Sequence, residues 1–193
     1  MRAIACGGAL ALLSAWTPAR AQTWAEYAIA SLQVAVQFPA APTQSAGTFI
    51  TASGASVPQT VFGLTQGSVQ LTLTVVDFTG RGGDQGTAER QSLKTLRDAG
   101  GVRLDVDECI SGQDGRELSV AGPDGSQSKL SVFSVGPRLY LLEAKASPPD
   151  VDSGAVDTVR FQQSMRFSGG PLGSGPGVQA ICRGRARAAS TVD

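Results

Sequence analysis

Apolar and polar residues alternate through much of the chain. Leu32, Val34, Val36 and Phe38 are separated by Gln33, Ala35 and Gln37, the two-residue period of a half-buried strand. Pro39 and Pro42 stop that strand, because proline has no amide hydrogen to give to a ladder. Extended chain is expected again around Phe49-Ile50. Val57 to Thr65 and Ser68 to Phe78 then read as a hairpin turning at Gln66-Gly67. In its second strand Val69, Leu71, Leu73 and Val75 share one face, and Gln70, Thr72 and Thr74 share the other.

The period then changes. A glycine-rich loop, Gly80 to Gly86, leads to a helix expected to begin near Thr87 as N-cap. Leu93, Leu96 and Ala99 fall on one face of it, and Gly100-Gly101 is expected to end it in left-handed geometry. Val102, Leu104 and Val106 alternate toward Cys109-Ile110, and strands are expected at Arg116 to Ala121, Lys129 to Val135 and Arg138 to Ala146. Gly122-Pro123-Asp124-Gly125 and Gly136-Pro137 supply the turns between them. A second helix is expected from Pro148-Pro149-Asp150 to about Gln163, followed by a short strand at Met165 to Phe167. Strands, helix, strands, helix in that order imply an antiparallel α+β sheet with helices laid on it.

Both ends depart from this pattern. Met1-Arg2, the apolar run Ala3 to Trp16 and Ala19-Arg20-Ala21 have the form of a secretory signal peptide cleaved after Ala21. The expected location is therefore periplasmic or secreted. The apolar run is too short to cross ~30 Å of hydrocarbon, so no transmembrane segment is expected. Residues 168–193 carry Gly169, Gly170, Pro171, Gly173, Gly175, Pro176 and Gly177 and read as a flexible tail. The remaining residues, 22–167, form the single expected domain.

Composition narrows the chemistry. The 193 residues include 16 Lys plus Arg, 16 Asp plus Glu and no histidine. Loss of Arg2 and Arg20 with the leader leaves 14 basic residues against 16 acidic ones, a net charge of −2. No nucleic-acid partner is implied, since that would call for a basic excess. The missing histidine excludes every histidine-based triad and histidine metal site. Cys109 and Cys182 could pair in a disulfide-permissive compartment. The bridge would close a loop of roughly 70 residues and stabilise by ~4 kcal/mol. Two free thiols are the alternative.

Several short motifs resemble those of the PsbP/Mog-like superfamily, which includes DcrB-like bacterial envelope proteins. They are Trp24-Ala25-Glu26-Tyr27, Phe38-Pro39 with Pro42, Gly115-Arg116-Glu117, Arg138-Leu139-Tyr140 and Arg160-Phe161-Gln162-Gln163-Ser164-Met165. The resemblance covers roughly residues 24–167, with Met165 where that pattern usually has phenylalanine. It implies an antiparallel sheet sandwiched by helices in an α/β/α arrangement, and binding or accessory roles rather than a reaction. In the same pattern Tyr140 faces the core, while Phe161 and Met165 dock a helix.

Candidate sites are few. Asp105, Asp107 and Asp114 could supply oxygens to a calcium-type metal. The Gly80 to Gly86 loop stands where backbone amides can hold phosphate, but it lacks a P-loop lysine. Ser128 and Lys129, as strand neighbours, point to opposite faces, so a Ser–Lys hydrolase is a remote alternative. Arg183, Arg185 and Arg187 form a small basic cluster that could touch an anionic surface. The most unusual feature is a gap: no charged residue lies between Glu26 and Asp77. A neutral sheet surface lacks the charges that discourage association. The expected function is a non-enzymatic binding or accessory module engaging a protein partner, such as an envelope protein, through Gln33, Gln37, Gln70, Thr72 and Thr74. The alternative is a small-ligand or calcium-type metal-binding protein. No cofactor is implied.

Overall fold

In the stretch Val69 to Asp77 the alternation becomes a strand. Leu71, Leu73 and Val75 are buried, while Gln70 is exposed and Thr72 and Thr74 are half-buried. This strand lies inside a larger sheet and covers a core with one face. The structure, a computed structural model, describes residues 23–81, 84–149, 151 and 155–168. The proposed leader and all of the proposed tail except Ser168 lie outside the described residues.

The described strands form two sheets. The larger is antiparallel, in the order β3 (Thr43–Ile50), β4 (Ser56–Gln66), β5 (Val69–Asp77), β9 (Arg138–Ala146), β8 (Gln127–Val135), β7 (Gln113–Ala121) and β6 (Gly101–Ile110). The smaller places β1 (Ala25–Ile29) and β10 (Arg166–Phe167) on either side of β2 (Val34–Phe38). Helix α1 (Asp84–Asp98) joins β5 to β6, and α2 (Ala155–Gln163) lies between β9 and β10.

Two cores lie on opposite faces of the larger sheet. On one, Leu71, Leu73, Tyr140 and Leu142 pack against Val34, Val36 and Phe38 of the small sheet and Phe161 of α2. On the other, Val76, Leu130, Val132 and Leu139 pack against Ala88 and Leu93 of α1. Tyr140 also ties the layers together, its hydroxyl donating to the Leu32 carbonyl at 2.7 Å. Phe161 and Met165 are both buried in the first core, as the motif implies.

This α+β arrangement modifies the expected helix-sheet-helix sandwich. Only one face is covered by a helix alone; the other is covered by α2 together with the small sheet. The alternation of Val34, Val36 and Phe38 requires burial of one face, but it does not say in which sheet the strand pairs. β1 was likewise not expected as a strand.

Helix α1 starts at Asp84, so Thr87 lies inside it rather than capping it. Nor does Gly100 or Gly101 take a positive φ. Gly100 is required for a different reason: a Cβ there would stand 2.2 Å from the Ala121 carbonyl oxygen. Gly115 plays a similar part, since a Cβ would lie 2.3 Å from the Phe133 ring. That close approach explains the glycine in Gly115-Arg116-Glu117.

Candidate functional site

Helix α1 roofs only part of its face of the larger sheet. Beside it lies a groove of about 470 Å³. Thr72 and Thr74 of β5 and Glu143 of β9 line it below, Gln91 and Leu96 of α1 on one side, and Phe49 of β3 on the other. The strand register brings the floor together, with Thr72 opposite Glu143 and Thr74 opposite Leu141.

Two acceptors here are incompletely used. The Gln91 side-chain nitrogen donates to the Ile50 carbonyl at 3.5 Å, but its Oε1 is buried without a hydrogen-bond partner. Glu143 accepts from the Ser128 hydroxyl at 3.3 Å and has no ion-pair partner among the described residues. Lys145, two residues along the strand, pairs instead with Asp124 at 3.3 Å. Among the residues lining the groove, Glu143 alone is charged.

The five residues expected to form one docking face are divided. Gln70, Thr72 and Thr74 lie on β5, beside or within the groove. Gln33 closes a short 3-10 turn in left-handed geometry just before β2, and Gln37 lies on β2 in the smaller sheet. The backbone nitrogen of Gln37 donates to the Ser164 hydroxyl at 3.0 Å. Alternation places neutral residues on a common face within one strand, but it cannot join two strands that pair in different sheets.

Asp105 and Asp107 do share a face of β6, as expected, but arginines occupy it. Arg97 of α1 reaches Asp105 at 2.7 Å, Arg116 reaches Asp105 at 2.5 Å, and Arg116 also pairs with Asp107. Burial opposes ionisation of Asp105, yet Arg116 and Arg97 outweigh it and hold its pKa below the ordinary carboxylate value. Asp114 is exposed at the start of β7, opposite Cys109. Among the described residues, no three His, Cys, Asp or Glu side chains are grouped to hold a metal ion. Asp105 thus fastens α1 to β6 through Arg97, and Asp107 ties β6 to Arg116 of β7.

Glu108 points to the other face of β6. Burial raises its pKa to about 7; a hydrogen bond with Ser131 opposes that rise and nearby Glu117 adds to it. Cys109 is disulfide-bonded, whereas Cys182, the partner considered from sequence, is outside the described residues. The basic cluster Arg183, Arg185 and Arg187 and part of the Gly80–Gly86 loop are outside them as well. Gly86 itself belongs to α1.

Gln91, Glu143 and Phe49 were not singled out from sequence. Glu143 carried a local signal, as a lone carboxylate between Leu141-Leu142 and Ala144. Gln91 carried none, because its role depends on where α1 rests.

No protein-family model and no curated protein matches this chain. Solved structures do. The solution structure of cyanobacterial PsbP (CyanoP) from Synechocystis sp. PCC 6803 is similar with a TM-score of 0.50 and 14% identity, over 80% of this chain and 98% of that one. A Pseudomonas aeruginosa protein of unknown function, PA94, gives a TM-score of 0.40 and 12% identity over 73% and 94%. The first likeness shows that the fold is PsbP-like. At this identity, fold is all that it shows.

Proposed function

We propose that this protein is an exported, non-enzymatic binding or accessory module that engages a protein partner through its charge-free N-terminal strands. The observation that carries this reading is the contrast between the two edges of the larger sheet. β6 carries Arg103, Asp105, Asp107 and Glu108, the kind of charged edge that resists strand addition. β3 carries no charge, lies at the opposite edge, and is exposed at every position except Phe49. Its outer backbone groups can take an extended, uncharged strand of a partner. The contact therefore centres on β3, with Gln70, Thr72 and Thr74 two strands inward. Export rests on the leader-like pattern of residues 1–21.

The test is affinity capture from envelope extract with wild type and Ala46→Lys, which puts a charge in the middle of β3. A partner held by wild type should be lost by about tenfold or more with the variant, at unchanged melting temperature. Identical partner lists from two folded proteins would overturn the reading. A second reading, a small-ligand protein, is favoured by the groove beside α1.

A further inference from the structure

We propose that the groove beside α1 is a binding site for a small organic amine with an apolar body. Its volume, about 470 Å³, falls within the range of clefts that enclose small ligands. Its chemistry is unbalanced toward acceptance. Gln91 Oε1 is buried with no donor, and the half-buried Glu143 carboxylate has no cation among the described residues. No lysine or arginine lines the groove.

A partly desolvated carboxylate without a counter-ion is costly, and a ligand ammonium relieves that cost. On the α1 wall Gln91 supplies a further acceptor that lacks a donor. An anionic ligand would meet Glu143 and find no opposing charge. A neutral one would leave Glu143 unpaired. Phe49 and Leu96 offer contact to an apolar body, and the Thr72 and Thr74 hydroxyls flank the polar end. This site goes beyond the partner reading, because it uses the recess beside α1 rather than the open backbone of β3.

Amide NMR spectra of the full chain, titrated with phenethylamine, phenethyl alcohol and hydrocinnamate near neutral pH, test it. Phenethylamine should give saturable shifts at Thr72, Thr74 and Gln91, binding about fivefold or more tightly than the alcohol, and hydrocinnamate should give none. Glu143→Gln should weaken the amine by about fivefold or more while changing the alcohol by less than about twofold. Added salt should weaken the amine and spare the alcohol, which decides the matter even if Glu143→Gln does not fold. Ala46→Lys, placed outside the groove, should leave amine binding within about twofold. Unchanged partner capture by this variant with amine binding intact would overturn the β3 contact alone, and loss of capture with amine binding intact supports both readings, so the two fail separately. The amine proposal is overturned if the alcohol binds as tightly, if folded Glu143→Gln keeps full amine affinity, or if shifts fall away from the groove.

Discussion

Glu108 is a carboxylate whose ionisation burial strongly opposes. Its Oε2 is buried without a hydrogen-bond partner, and burial raises its pKa from 4.5 to about 7. The folded chain therefore keeps a proton that the unfolded chain releases as pH rises above about 4.5. The stability this group contributes is fully present below that value and is lost as pH rises through about 7. Allowing for solvent screening, the loss is about 1–2 kcal/mol. Glu108→Gln should remove this part of the pH dependence and leave the variant more stable than wild type near pH 8. Chemical denaturation from about pH 5 to about pH 8 measures it, and parallel curves for the two proteins would count against it. Asp77 and Asp105 act in the other sense. Hydrogen bonds hold both below the ordinary carboxylate value, so their contribution is lost as pH falls.

At the scale of the element, packing rather than propensity places each piece. Helix α2 has nine residues, too few to persist alone in water. It is fixed by Phe161, fully buried and edge-on to Phe38 with ring centroids 4.9 Å apart. Phe161→Ala removes the ring that α2 and β2 share and should cost about 3–5 kcal/mol, read as a fall in the denaturation midpoint at unchanged slope. A loss under about 1 kcal/mol would show that the site collapses around the gap. Helix α1 is held differently, by Leu93 and Ala88 beneath it and by Arg97 on Asp105 at its C-terminal end. The periodicity of β5 was readable to the residue, because a strand with one buried face must alternate. The start of α1 was not, since Thr87 and Asp84 both suit a first turn.

The two sheets of the whole molecule share one core. Val34, Val36 and Phe38 pack with Leu71, Leu73 and Leu142, so neither sheet can unfold without exposing the other. Unfolding should accordingly be a single transition. In a Trp16→Phe background, Trp24 is the only tryptophan, and it packs against this core with the Arg160 guanidinium 4.9 Å from its ring. Its fluorescence and far-ultraviolet circular dichroism should give the same midpoint. Separate midpoints would mean that the small sheet opens independently.

By itself the sequence determined the strands with strict alternation, the turns at Gly125 and Gly136, the fifty-residue stretch without charge, and the absence of histidine chemistry. These depend on local rules: a pleat has a period of two, a tight turn needs a permissive backbone, and a missing side chain cannot act. Tertiary structure alone decided that Gln33 and Gln37 would leave the company of Thr72 and Thr74. It also decided that arginines would claim Asp105 and Asp107, and that Gln91 and Glu143 would line one groove beside α1. Each of those outcomes depends on which strands pair and where a helix comes to rest. Such choices are set by burial summed over the whole chain, and no short window of residues contains them.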